Sequence, residues 1–169
     1  MPEPKQHMRN RGALETVLRK IPGFRGYLEK EYRRESDQLH RGWLADRLTR
    51  AKRALDEFTR GLADSAQIDA LPAFDRLRGR LDKLIGRIQG SMQGYSGFFD
   101  LAQVDEALLD RVYQYDVGLM DQVESLAEGI EQLPTGAAGS TPPPADLMRQ
   151  LEELEQAWDL RSDMLKGVE

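Results

Sequence analysis

Apolar side chains recur at helical spacing over three long stretches of this chain. Within each stretch, successive apolar residues are separated mostly by three or four positions. This repeat places them on one face of an α-helix, close to the heptad pattern of packed helices. The pattern predicts long amphipathic helices over about residues 23–63, 72–89 and 105–133.

The predicted buried seam of the first long helix is the least regular of the three. Its apolar members are Leu28, Tyr32, Leu39, Trp43, Leu48, Ala51, Leu55, Phe58 and Leu62. The seam predicted for residues 105–133 is nearly unbroken and includes Tyr115, with Asp105 as the N-cap. These seams predict one shared leucine-rich core.

The two ends of the chain complete the predicted organisation. Residues 1–11 are polar and predicted to be disordered, and a short amphipathic helix follows over about 13–21. We expect a bundle core over 12–133, a Pro/Gly-rich linker over 134–144 and a C-terminal helix, 145–169, that packs back on the bundle and buries Trp158. The predicted fold is all-α: an antiparallel bundle of three to four long helices with a short N-terminal helix.

Composition favours a protein of a reducing compartment. The 169 residues include no cysteine, and the N-terminal segment lacks the apolar run of a signal peptide. We expect a cytoplasmic location. Charge is unevenly distributed: residues 1–60 hold 15 basic and 9 acidic side chains, whereas residues 104–169 hold 4 and 15. This asymmetry favours packing of basic early helices beside acidic later ones.

Cysteine is absent and histidine is scarce, which limits the candidates for nucleophilic catalysis and for metal binding. Histidine occurs only as His7 and His40, so Asp37-x-x-His40 forms one half of a di-metal helix motif without a second half. The sequence also lacks a phosphate-binding glycine loop and a nucleophile elbow. We therefore expect no enzyme activity, no metal and no cofactor, and we interpret His40 as a solvated or capping residue.

A charged run, 29–38, interrupts the seam of the first long helix. It could be a solvated stretch that projects from the bundle, a buried polar layer that fixes helix register, or a recognition surface. Asp116 is a candidate counter-charge for Arg33 or Arg34.

The connector over 90–103 has an unusual composition, with three glycines and three aromatic residues in its first eleven positions. We predict that Tyr95, Phe98 and Phe99 cap the open end of the bundle. The alternative is an exposed docking loop.

Two segments together resemble a known family. The first segment, Pro22-Gly23-Phe24-Arg25-Gly26-Tyr27, continues into Lys30-Glu31 and Arg33-Arg34-Glu35-x-Asp37. The second, Gly94-Tyr95-Ser96-Gly97-Phe98-Phe99-Asp100, is followed by Val104-Asp105 and Tyr113-x-x-Asp116. Over about residues 22–130 the chain resembles a family of uncharacterised bacterial helical-bundle proteins. The resemblance implies no catalytic role. It implies that the chain is similar to proteins that act as partners in membrane-stress or scaffold systems.

The leading functional hypothesis is a non-enzymatic scaffold that binds an unknown protein partner. The candidate interaction surface consists of Arg25, Tyr27, Lys30, Arg33, Arg34, Asp37, Tyr95, Phe98, Phe99, Asp100 and Asp116. The alternative is a peripheral membrane protein, with weak contact through the basic amphipathic segment 9–21. The overall negative charge argues against nucleic-acid binding, and heptad seams would also suit a homodimer.

Overall fold

The computed structural model describes residues 4–90, 97–101, 103–134 and 141–166, without the side chains of 4–11. The described chain is all-α, which confirms the predicted class. Its elements are α1 (Pro4–Lys20), α2 (Lys30–Asp64), a 3₁₀ turn (Ile68–Ala70), α3 (Leu71–Gly90), α4 (Gly97–Asp100), α5 (Glu106–Glu131) and α6 (Ala145–Lys166).

Helices α2 and α3 form an antiparallel hairpin. Lys52 on α2 pairs with Asp82 on α3 at 2.7 Å, and Asp56 pairs with the earlier Arg78. Helix α2 ends at a tight turn in which Ala66 has a φ of +62° and the Gln67 N–H bonds the Leu62 carbonyl at 2.9 Å. This is a Schellman-type ending, and it reverses the chain toward α3.

Helix α5 runs parallel to α2, because His40 lies against Asp116 and the later Arg47 against Glu124. Helix α6 runs antiparallel to α5, since Gly129 faces Leu147 at the start of α6. The four long helices therefore form a ring in the order α2, α3, α6, α5, and α1 packs on α5. The connection from α3 to α5 crosses the diagonal of this ring at the end where α2 begins.

The seam of α2 differs from the predicted one in its first half. Leu28 is 68% exposed, and Tyr32, Leu39 and Trp43 are only half-buried. The buried face lies one residue later and continues through the predicted second half, with Arg33, Asp37, His40, Leu44, Leu48, Ala51, Leu55, Phe58 and Leu62. The prediction was wrong there because it admitted only apolar residues to the seam. Tyr115 on α5 is likewise half-buried, whereas Tyr113 is buried.

The N-terminal helix begins earlier than expected. Residues 4–11, predicted to be disordered, form the first half of α1. Val17 and Ile21, which the membrane hypothesis requires at a lipid surface, are buried in the protein core instead. Residues 21–29 then wrap around the end of the bundle, so α2 starts at Lys30 rather than near residue 23.

The connector closes one end of the bundle. Phe98 and Phe99 on α4 are buried, which confirms the predicted cap for these two residues; Tyr95 lies outside the described residues. Asp105 caps α5 by accepting a hydrogen bond from the Ala107 N–H at 3.0 Å, as predicted. Helix α6 packs back on the bundle and buries Trp158, which confirms that prediction as well.

Gly26 provides a direct test of this packing. Its φ is +86°, and an added Cβ would lie 2.7 Å from the Tyr113 hydroxyl oxygen. We expect Gly26→Ala to lower the free energy of unfolding by about 1–3 kcal/mol. Gly86→Ala, at a helix position with open space around it, is the control and should raise it by about 0.5–1 kcal/mol. Urea unfolding followed by circular dichroism measures both, and equal effects would contradict the assigned geometry.

Candidate functional site

Four charged side chains and one tyrosine lie together inside the bundle, near the end that the connector closes. We call Tyr27, Asp37, Arg41, Asp116 and Arg161 the ionic cluster. They come from the 21–29 segment, α2, α5 and α6, and each is at least nine-tenths buried. Charged residues are rarely buried to this degree unless they are paired. The cluster is therefore the most distinctive feature of the described structure.

The Arg161 guanidinium joins two carboxylates from two other helices. Its Nε donates to Asp116 Oδ1 and its Nη2 to Asp37 Oδ1, both at 2.8 Å. These are short, charge-assisted hydrogen bonds, which are stronger than neutral ones. They connect α6 to α5 and, across the ring, to α2.

Tyr27 completes the environment of Asp116. Its hydroxyl donates a short hydrogen bond to Asp116 Oδ2, and its ring stacks on Tyr113 with centroids 5.4 Å apart. The Tyr27 backbone N–H donates to the Tyr113 hydroxyl at 2.9 Å. Burial, together with the Asp116 charge, raises the pKa of Tyr27 well above its ordinary value. Tyr27 therefore remains protonated and acts as a donor.

Arg41 balances the charge of Asp37. Its Nε donates to Asp37 Oδ2 at 2.8 Å, and its Nη1 donates to the Ile88 carbonyl at 3.2 Å, near the end of α3. Burial alone would raise the pKa of Asp37, but the Arg161 and Arg41 cations hold it below its ordinary value. Two carboxylates and two guanidiniums thus leave the cluster neutral overall.

His40 lies beside this balanced cluster and is fully buried. Its Nε2 lies 3.1 Å from the Asp116 carbonyl oxygen, which can only accept, so Nε2 is the protonated nitrogen. Its Nδ1 has no hydrogen-bond partner and lies 3.7 Å from Asp116 Oδ1. Burial lowers the pKa of His40 despite the nearby carboxylate. The sequence interpretation of His40 as solvated is therefore wrong.

Arg33 performs a separate task next to the cluster. Its guanidinium donates to four backbone carbonyls, at Tyr27, Leu28, Phe98 and Leu101, over 2.6–3.3 Å. It also lies over the Phe98 ring at 5.4 Å. Arg33 therefore fixes the 27–28 backbone and the connector to each other.

The structure divides the predicted interaction surface in two. Arg25, Lys30, Arg34 and Asp100 are exposed, and Arg34 pairs with Asp100 at 3.2 Å. The others that the structure describes are buried and cannot form a surface: Tyr27, Arg33, Asp37, Phe98, Phe99 and Asp116. Tyr95 lies outside the described residues.

Of the three interpretations of the charged run, the buried polar layer describes Arg33 and Asp37, which are buried. The predicted counter-charge was assigned to the wrong arginine, because Asp116 pairs with Arg161 on α6 rather than with Arg33 or Arg34.

Sequence reasoning missed Arg161, Arg41 and Arg47. Arg161 falls between Trp158 and Leu165 at the spacing of the α6 stripe, which is the signal that could have found it. Arg47 is buried and pairs with Glu124 and Glu131 on α5, in a fork with nitrogen–oxygen distances of 2.6–3.1 Å. Its partners lie more than 70 positions away, so the local sequence gave no sign of this second ionic bridge.

The surroundings of the cluster limit access to it. A cleft of about 170 Å³ lies beside Arg41 and is lined by Gln38, Arg41, Gly42 and Gln89. The side chains of Tyr27 and Asp116 have no exposure to solvent, so a ligand could reach them only if the helices separated. The hydrogen bonds of the cluster join the 21–29 segment, α2, α5 and α6, an arrangement suited to holding these elements in one register.

Comparisons with protein-family models, curated proteins and solved structures found no match for this chain. The resemblance of residues 22–130 to a bacterial helical-bundle family therefore stays a prediction. Among the described residues, no helix has the length and apolar character needed to cross a membrane.

Removal of the central cation tests the structural role of the cluster. Arg161→Ala leaves Asp37 and Asp116 buried with one fewer cation, and we expect it to lower the free energy of unfolding by about 3–5 kcal/mol. Arg149→Ala, which removes the exposed Arg149–Glu153 pair of the same helix, should change it by less than about 0.5 kcal/mol. Similar losses in chemical denaturation would show that the cluster contributes no more than a surface pair.

Buried His40 should make stability depend on pH in mildly acidic solution. Its pKa in the folded protein lies below the ordinary 6.5, so the unfolded chain binds the proton more readily. Stability is then complete above pH 6.5 and falls as the pH is lowered, by at most about 1.4 kcal/mol per pH unit for one proton. We expect His40→Gln to reduce the pH dependence of the free energy of unfolding between pH 6.5 and 4.5. His7→Gln is the matched control, and a profile unchanged by His40→Gln would contradict the assignment.

Proposed function

We propose that this chain is a non-enzymatic interaction protein that binds a protein partner at the end of the bundle around Leu28. We call Arg25, Leu28, Lys30 and Arg34 the Leu28 surface. All four side chains are exposed, and Leu28 is the most exposed of the large apolar residues described, at 68%. An apolar centre within a rim of charged residues is the usual anatomy of a protein interface.

The observation that carries this proposal is the fixed backbone beneath Leu28. A single exposed leucine needs no special explanation. Here, however, the Leu28 carbonyl accepts from Arg33 Nη2 at 3.3 Å, and the preceding carbonyl accepts from Arg33 Nε at 2.7 Å. A buried arginine thus holds in place a segment that has no regular secondary structure.

Rigidity of this kind favours binding. A side chain on a pre-ordered backbone loses less conformational freedom when a partner binds, which leaves more of the contact energy as affinity. Arg25 is also held, since its guanidinium lies 4.7 Å from the centroid of the Tyr32 ring. The partner that fits has an apolar pocket for Leu28 and polar groups of both signs around it, because Glu29 and Glu31 are exposed beside the cations.

The membrane alternative has weaker support. Val17 and Ile21 of α1 are packed in the core, which leaves Leu18, at 45% exposure, as the exposed leucine of that helix. This apolar surface is small for insertion at a lipid interface. The scaffold hypothesis is therefore the one we propose.

The proposal predicts a loss of binding from one substitution. We expect Leu28→Asp to reduce capture of specific partners from native cells at least tenfold, because a carboxylate cannot enter an apolar pocket. Quantitative mass spectrometry of the captured proteins measures this. Ile68→Asp is the matched control: Ile68 is 64% exposed and lies at the opposite end of the bundle. If the wild type and both variants, shown to be folded, capture the same proteins in the same amounts, the Leu28 surface is not the binding site.

A further inference from the structure

The ring of His40 is held at one nitrogen and unbonded at the other. Its Nε2 donates to the backbone carbonyl of Asp116 at 3.1 Å. Its Nδ1 faces the side chain of the same residue, 3.7 Å from Oδ1, and bonds none of the described residues. A buried nitrogen without a partner is uncommon in folded proteins. Because neutral Nδ1 can only accept, as the carboxylate does, the two form a hydrogen bond only when His40 is protonated.

His40 and Arg161 compete for the same carboxylate oxygen. The Arg161 Nε donates to Asp116 Oδ1 at 2.8 Å, and this is the oxygen that faces His40 Nδ1. The second oxygen of Asp116 accepts from the hydroxyl of Tyr27, which stays neutral. In the closed bundle, a protonated His40 would therefore meet a carboxylate whose two oxygens are occupied, beside a guanidinium of its own sign.

The charges around His40 come from three helices. Asp116 lies on α5, Arg161 on α6 and Asp37 on α2, one turn before His40. The second cation, Arg41, pairs with Asp37 and donates to backbone carbonyls at the end of α3. These four groups are neutral overall, so a proton on His40 adds a positive charge in excess. Burial and then the Arg161 cation lower the pKa of His40, and together they outweigh the Asp116 charge, which raises it.

Departure of α6 would reverse this balance. It removes the Arg161 cation, leaves Asp116 free to accept from His40 Nδ1, and admits water to the cluster. Each of these changes raises the pKa of His40, so the proton binds more tightly once α6 has left. Helix α6 is also the last of the described helices, and its neighbours α3 and α5 both contact α2. It can therefore leave without separating the other helices.

We propose that a proton controls the docking of α6: protonated His40 replaces Arg161 as the partner of Asp116, and α6 is released from the bundle in mildly acidic solution. Helices α1 to α5 stay packed in the released state. The groove that Leu151, Leu154 and the other buried residues of α6 occupy becomes accessible. The release is independent of the Leu28 surface, because none of the four residues of that surface lies on α6.

Hydrogen exchange followed by mass spectrometry tests the release in the full-length chain. After correction for the intrinsic exchange rate, we expect the opening constant of the α6 amides to rise by about three- to tenfold between pH 7.5 and 6.5. Ten is the limit per pH unit for one proton. Unfolding of the whole chain gives less than about a twofold rise in this range, since an unfolded histidine titrates near 6.5. The amides of α3 should therefore change by less than about twofold.

The two histidines provide a matched pair of variants. His40→Gln should keep the opening constant of α6 within about twofold over the same range, because glutamine does not bind the proton. His7→Gln, at the other histidine of the chain, should leave the rise intact. The proposal is overturned if α6 shows no rise, if α3 and α6 rise equally, or if the rise in α6 persists in His40→Gln.

Proton NMR of the histidine rings gives a second measurement that does not depend on the His40→Gln variant. In Arg161→Gln, Asp116 loses its cation, so we expect the pKa of His40 to move from below 6.5 in the wild type to above 6.5. His7 supplies a reference resonance in the same spectrum. A pKa of His40 at or below 6.5 in this variant would contradict the proposal. Complete unfolding of the variant would contradict it too, because release of α6 must leave the other helices packed.

Discussion

The bundle depends on one guanidinium placed between two carboxylates. Arg161 reaches Asp116 on the adjacent helix and Asp37 across the ring, so a single side chain connects three of the four long helices. An ion pair removed from water is costly unless its geometry is nearly complete. Here Tyr27 and Arg41 occupy the remaining oxygens of the two carboxylates. A small shift of any one helix would leave a charge without its partner, and this intolerance fixes the relative positions of the helices.

Arg33 fixes a segment at the surface of the molecule, the one that carries the exposed Leu28. It holds the segment before α2 and the connector together through backbone carbonyls. The adjacent Arg34 lies on the surface and pairs with Asp100 of the same connector. Two neighbouring residues of α2 thus both contact the connector, Arg33 from inside the bundle and Arg34 from its surface. The fixed position of Leu28 follows from the inner contact.

The sequence predicted the helices well and the polar core poorly, for a physical reason. Spacing of apolar residues identifies a helix face only while the core is apolar, as it is in α3 and in the second half of α2. In the first half of α2 the buried seam continues at the same helical spacing through Arg33, Asp37 and His40. The side chains there are polar, although the spacing of buried positions is unchanged. Local sequence can show that a charged residue occupies a seam position. It cannot show that the partner, Arg161, lies 124 residues from Asp37.

The diagonal connection from α3 to α5 has a consequence for the order of folding. The α2–α3 hairpin closes contacts between residues about 20 to 50 positions apart, whereas the parallel pairing of α2 with α5 spans more than 70. Loop closure becomes entropically more costly with length, so the hairpin should form first and serve as a template for α5. Arg161 arrives last, because its two carboxylates share a site only after α2 and α5 have met. The ionic cluster therefore stabilises only those partly folded chains in which α2 and α5 are already in their final positions.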